Sequence, residues 1–114
     1  MTSVEKLRAA ASRLRLLAGQ AGSGQWGCTV HGDYAVFGRN DESGRALDTI
    51  GAVYGTDARV VPWIVAMQPA VAAPLAMWLD DTASDFEAER RTEPEASQQE
   101  YALAFAEAVL SVAT

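Results

Sequence analysis

Apolar residues recur near the start of the chain in steps of three and four: Val4, Leu7, Ala11, Leu14 and Ala18. That spacing predicts an amphipathic helix over about 2–18. Thr2 and Glu5 open it at the spacing of a capping box, in which each side chain satisfies a free backbone N–H. Residues 19–25 then hold three glycines, a composition that reads as a loop. Beyond the loop the period changes. Residues 26–30 and 34–38 are short, aromatic and β-branched, and His31-Gly32-Asp33 between them reads as a hairpin turn. A polar loop over 39–44 leads to a third strand over 46–54, weakened by Gly51. Trp26, at the head of the first strand, is expected to be buried where the hairpin meets a helix.

Three prolines punctuate the stretch after the third strand. Thr56 or Asp57 can cap a helix over about 57–67. Pro62 would cost about 3 kcal/mol in a helix interior, so either a kink or a helix start falls there. Pro69 suits the first turn of a helix over about 69–90, whose first turns Pro74 bends. Val71, Leu75, Trp78, Leu79, Thr82 and Phe86 give that helix one apolar face. Residues 91–96 form a polar break. Ser97 and Glu100 repeat the capping-box spacing, and Tyr101, Phe105, Ala108, Val109 and Val112 supply an apolar face over about 97–112. The prediction is a single α+β domain over 1–114. It has an N-terminal helix, a three-stranded antiparallel β-meander over about 26–54, and three to four C-terminal helices packing on it. A meander this small is only marginally stable unless helices cover a face.

The chain has 114 residues, 49% of them hydrophobic, enough to build a core. Its formal charge of −6 argues against direct binding to nucleic acid or to an anionic membrane. The charge is unevenly spread. Lys6, Arg8, Arg13 and Arg15 make residues 1–20 basic, whereas residues 80–100 carry eight acids against Arg90 and Arg91. Cys28 is the only cysteine, so no intrachain disulfide can form, and the expected setting is a reducing cytoplasm. No secretory signal pattern opens the sequence. The apolar run over 60–76 is too interrupted, by Pro62, Gln68, Pro69 and Pro74, to read as a membrane span.

Little of this carries chemistry. Cys28 and His31 could in principle form a thiolate–imidazole pair. Three apart on a strand, they would point to opposite faces, so a strand cysteine beside a turn histidine is the simpler reading. The pair is no zinc site, because structural zinc needs four ligands. Asp80, Asp81, Asp85, Glu87 and Glu89 lie along one helix. They lack the glycine turn and alternating acids of a calcium loop, and read as a solvated face or as a docking surface for a basic partner, the first helix of this same chain included. Arg39, Arg45 and Arg59 are the only basic residues of the central region, and an anionic small molecule would need them in one cleft. The glycines over 19–25 follow a helix and precede a strand, the reverse of a phosphate loop. Trp63 and Trp78 read as core or oligomer contacts. No catalytic residue, metal site or cofactor is expected.

Three features taken together resemble a known group. They are the alanine- and leucine-rich first helix, then Gly24-Gln25-Trp26 opening a hairpin, then Asp57-Ala58-Arg59 leading through Ile64, Ala66, Met67 and Pro69 to Leu75, Trp78 and Leu79. The order resembles small accessory proteins of actinobacteriophages and prophages, and is similar to the lambdoid-phage early accessory (Ead-like) family. The resemblance implies a phage-encoded accessory protein that acts on host or defence machinery, and it supplies no catalytic residues. The expected function is therefore non-enzymatic protein–protein binding with a host protein as partner. The alternative is a protein that sequesters a nucleotide or metabolite between subunits. A dimer is expected as well, because Val4, Leu7, Leu14, Val71, Leu75, Met77, Trp78 and Leu79 outnumber what a three-stranded sheet can cover.

Overall fold

The computed structural model describes residues 1–22, 25–89 and 97–112. In chain order the elements are α1 (Ser3–Ala21), β1 (Gln25–His31), β2 (Tyr34–Asn40), β3 (Ala46–Tyr54), a 3-10 helix (Gly55–Val60), α2 (Val61–Ala66), a 3-10 turn (Pro69–Val71), α3 (Ala72–Ala88) and α4 (Ser97–Leu110). The strands form one antiparallel sheet in the order β1-β2-β3. This is the predicted α+β order. Two compact units result, Met1–Gln20 with Ala72–Thr114, and Ala21–Val71. No single helix among the described residues is long and apolar enough to cross a membrane.

The first unit is helical. The capping box of α1 forms: the Thr2 N–H donates to Glu5 Oε1 at 3.0 Å and the Glu5 N–H donates to Thr2 Oγ1 at 3.1 Å. These bonds, the one from the Thr2 backbone first, hold the Glu5 carboxyl below the ordinary glutamate range. The helix carries through Gly19 and stops at Gly22, whose φ of 88° is the left-handed conformation in which many helices end. Its core is Leu7, Ala10 and Ala11 of α1, Ala76, Leu79, Ala83 and Phe86 of α3, and Ala102, Ala106 and Val109 of α4. Six of these ten are alanine, so small side chains make up most of the shared core.

The expected faces hold at Leu79, Thr82 and Phe86 of α3 and at Val109 of α4, and the core departs from them elsewhere. Tyr101 is 67% exposed, Phe105 is half-buried and Val112 is exposed, while Ala102 and Ala106 are fully buried. On α3, Leu75 is half-buried and Trp78 is 36% exposed, while Ala72 and Ala76 are inside. The buried stripes run through the small residues of α3 and α4, with Leu79, Phe86 and Val109 as their large members. Thr82 is the polar member of the α3 stripe, and its hydroxyl donates to the Trp78 carbonyl at 2.8 Å.

The second unit is the sheet and its cover. Gly32 turns the β1–β2 hairpin at a φ of 53°. Asp41 organises the β2–β3 loop, where its Oδ1 accepts from the Ser43 hydroxyl at 2.7 Å and from the Ser43 and Arg45 N–H groups at 2.9 Å. These bonds, the Ser43 hydroxyl first, keep the Asp41 carboxyl below its ordinary range. The β2–β3 register shifts twice, between Phe37 and Gly38 and between Arg39 and Asn40, which leaves Ile50 and Leu47 without a partner on β2. Gly38 permits the first shift, because a Cβ there would lie 1.9 Å from the Asp48 carbonyl oxygen. One face of the sheet carries Ala35, Phe37 and Val53, and Ala58, Val61 and Val65 cover it.

Each described proline opens a helical segment. Pro62 lies in the first turn of α2, Pro69 begins the 3-10 turn, and Pro74 is in the first turn of α3. The missing N–H would have had no helical partner at such positions. No kink is therefore needed at Pro62; a helix start meets the constraint. The 3-10 helix before α2 has Tyr54 at its N-cap, with no side-chain bond, and Asp57 sits inside its first turn. The polar break over 91–96 lies outside the described residues, as does the Ser97 side chain on which the second capping box turns. Trp26 is half-buried rather than buried. Its ring centroid is 6.2 Å from that of Phe37, its backbone N–H donates to Gln68 Oε1 at 2.9 Å, and its indole N–H is buried with no acceptor among the described residues.

Phe86 is the largest fully buried side chain. Phe86→Ala is expected to cost about 3–5 kcal/mol, read as a drop in the urea midpoint without a gain in m. Gly38→Ala is expected to cost at least about 2 kcal/mol, because the obstructing atom is backbone and the bulge must rearrange. A Gly38→Ala protein that melts with the wild type would show that Gly38 does not set the register shift.

Candidate functional site

The five acids singled out on the 69–90 helix do not act together. Asp80 and Glu87, seven residues apart on α3, face α1. Arg15 Nη2 lies 2.8 Å from Asp80 Oδ2, Arg8 Nη1 lies 4.0 Å from Asp80 Oδ1, and Arg8 Nη2 donates to Glu87 Oε1 at 2.9 Å. Lys6 Nζ donates to Glu107 Oε1 of α4 at 3.0 Å, and Arg13 Nη1 donates to the Val112 carbonyl at 3.2 Å. Basic residues of α1 are thus engaged in cis. The order of these contacts also sets direction: α1 runs antiparallel to α3 and parallel to α4. All these side chains are partly exposed, so each pair is worth only ~0–1 kcal/mol.

Asp81 and Asp85 are the remainder. They are exposed and have no ion-pair partner among the described residues. Glu89 is exposed at the end of the same helix. Asp81 and Asp85 share a face with Trp78, which precedes them by three and seven residues. The Trp78 ring lies 5.9 Å from that of Phe105 on α4, with the planes tilted by 40°. Tyr101, one turn before Phe105, is 67% exposed, and Met77 beside Trp78 is 61% exposed. The result is an aromatic patch on α3 and α4 with two free carboxylates on the same α3 face. Sequence reasoning placed Tyr101 and Phe105 in the core. The signal that could have moved them out is the stripe Ala102, Ala106 and Val109, which has the same helical spacing one position on.

The three arginines of the central region are not brought into one cleft. Arg39 on β2 is paired with Asp48 on β3: its Nη2 donates to Asp48 Oδ2, and its Nε donates to Oδ1 at 3.2 Å. That bond raises Arg39 and holds the Asp48 carboxyl below its ordinary range. Arg45 closes the β2–β3 loop beside Ala46. Arg59 lies at the other end of the ladder, beside Asp33 and Gly55. Six residue steps separate the Asn40–Ala46 pair from the Tyr34–Tyr54 pair, roughly 20 Å at ~3.3 Å per step. Arg59 lines an open cavity of about 550 Å³ with Val30, Ala58 and Pro62.

Cys28 pairs with Phe37 and His31 with Tyr34 across the β1–β2 ladder, so strand alternation turns their side chains to opposite faces. Both are exposed. His31 stacks on Tyr34, which stacks on Tyr54, with centroid separations of 4.8 Å and 5.8 Å. Among the described residues no group of three or more His, Cys, Asp or Glu could hold a metal ion.

The division of the acids is testable by charge reversal. Asp81→Lys with Asp85→Lys is expected to leave stability within about 0.5 kcal/mol. Asp80→Lys with Glu87→Lys sets lysines against Arg8 and Arg15, and is expected to lower the melting temperature clearly, with most of the loss screened at high salt. Equal melting of the two double variants would mean that the α1–α3 ion pairs contribute nothing. No protein-family model, curated protein or solved structure matches this chain.

Proposed function

We propose that the chain is a non-enzymatic accessory protein of the phage or prophage kind that its sequence resembles. It acts by binding a protein of the bacterial host, and it self-associates as a dimer. The observation that supports the binding reading is the Trp78–Phe105 pair, with Tyr101 and Met77 beside it and Asp81 and Asp85 on the same α3 face. Aromatic residues and methionine are enriched at protein interfaces, and such interfaces put an apolar centre inside a polar rim. Buried tyrosine and tryptophan contribute most where a partner removes them from water. The two carboxylates favour a partner whose matching rim is basic. Asp80 and Glu87 add little to that field, because Arg8 and Arg15 neutralise them.

Exposed charges act on the on-rate, and physiological salt screens them beyond about 8 Å. The test is retention of a host protein on the immobilised chain, compared among wild type, Tyr101→Ala, and Asp81→Lys with Asp85→Lys. A partner of the patch should dissociate at least about tenfold faster from Tyr101→Ala. It should associate more slowly with the charge-reversed protein, and the difference should vanish at high salt. A host protein held equally by all three would place its contact elsewhere and remove the support for this reading.

A further inference from the structure

α2 has no polar side chain. Its six residues are Val61, Pro62, Trp63, Ile64, Val65 and Ala66. The inner side is accounted for, because Val61 and Val65 pack with Ala58 over the sheet. The outer side is not. Val60, Trp63 and Met67 recur there at helical spacing and are 47%, 67% and 42% exposed, with Pro62 and Ala66 exposed between them. An apolar surface all round a helix is the mark of one that is covered on every side. Arg59 stands four residues before Trp63, one turn away, and is exposed. It has no ion-pair partner among the described residues.

Building on the reading that the protein self-associates, we propose that this face is the dimer contact and that its occupant is a second copy of the chain. Two α2 helices cross antiparallel about a twofold axis near Val61. Trp63 of each copy then lies over the partner's Arg59, and Val60 packs near the partner's Pro62. In such an interface residue i meets j and j meets i, so a ring and a guanidinium one turn apart on one face complement themselves. A guanidinium over an indole face is a favourable cation–π contact, stronger when water is removed. The cavity of about 550 Å³ beside Arg59, lined by Val30, Ala58 and Pro62 with Asp33 at its wall, gives the incoming indole a largely apolar seat. Charge points the same way. Asp33 and Arg59 line that cavity together, so the site has no single-sign field to select an acidic or basic partner or an anionic lipid surface.

The experiment is sedimentation equilibrium of the full chain between roughly 1 and 100 µM, with Trp63→Glu, Arg59→Glu and Arg59→Lys beside the wild type. Far-UV circular dichroism of each reports folding. The expected result is a wild-type dimer weakened at least about thirtyfold by Trp63→Glu and by Arg59→Glu, with Arg59→Lys between them and the wild type. If Trp63→Glu fails to fold, the Arg59 pair decides alone, since Arg59 lies outside the core. A wild-type monomer throughout would overturn this inference and the dimer reading together. A dimer whose mass is untouched by Trp63→Glu and Arg59→Glu would overturn the α2 contact alone and leave the dimer reading standing.

Discussion

The alanine-to-alanine contact among α1, α3 and α4 decides most of what the helical unit presents to its surroundings. Six of the ten residues of the seam they share are alanine, so it has few large members. Leu7, Leu79 and Phe86 find room within the seam, and Val4, Leu14, Leu103 and Phe105 settle along its margins. Trp78 and Tyr101 are left outside. Their exposure is thus no failure of packing. It follows from the choice of Ala76, Ala83, Ala102 and Ala106 as the contact surface, which loses no side-chain entropy at the alanines.

The same seam sorts the charges. Residues that flank it on α1 and α3 are held opposite one another at a fixed spacing, so Arg8 and Arg15 reach Glu87 and Asp80 on an antiparallel neighbour. Asp81 and Asp85 have no ion-pair partner among the described residues. A formal charge run along the sequence is therefore two different objects in space. One half is spent on register between α1 and α3, where it adds orientation more than stability. The other half, Asp81 and Asp85, remains available to a field outside the molecule.

How much of this was legible varied with how local the determining interaction is. The Thr2–Glu5 box, the Gly32 turn, the antiparallel meander and the helical start at Pro69 depend on residues within a few positions of one another, and the sequence carries them directly, whereas Pro74 read as a bend inside a longer helix and stands in the first turn of α3. The α1 stripe was legible too, since Leu7 and Ala11 have no competing face. On α4 two stripes satisfy the same period, Tyr101 with Phe105 and Ala102 with Ala106, and hydrophobicity alone ranks the larger pair first. The structure ranks them by fit. The double register shift of β2 against β3 lay beyond reading as well, because it depends on a backbone approach at Gly38 that becomes visible only when Asp48 is in place. The dispersal of Arg39, Arg45 and Arg59 follows from strand direction: residues on either side of a single strand end up at its opposite ends.

α2 shows where local and non-local rules part company. Its sequence obeys the short-range rule for a helix start, with Pro62 in the first turn. It ignores the longer-range rule that a surface helix divides into an apolar and a polar face. The sheet accounts for Val61 and Val65 and gives no reason for Val60, Trp63 and Met67. Polar residues at those three positions would fit the same backbone and would save the cost of holding an indole in water. Isolated exposed apolar residues are ordinary on protein surfaces. Three at helical spacing beside a guanidinium with no ion-pair partner among the described residues form a surface with a period, and a periodic apolar surface is shaped to receive another element of regular structure. That demand is satisfied by a helix of the same pitch, and the simplest source of one is the molecule itself.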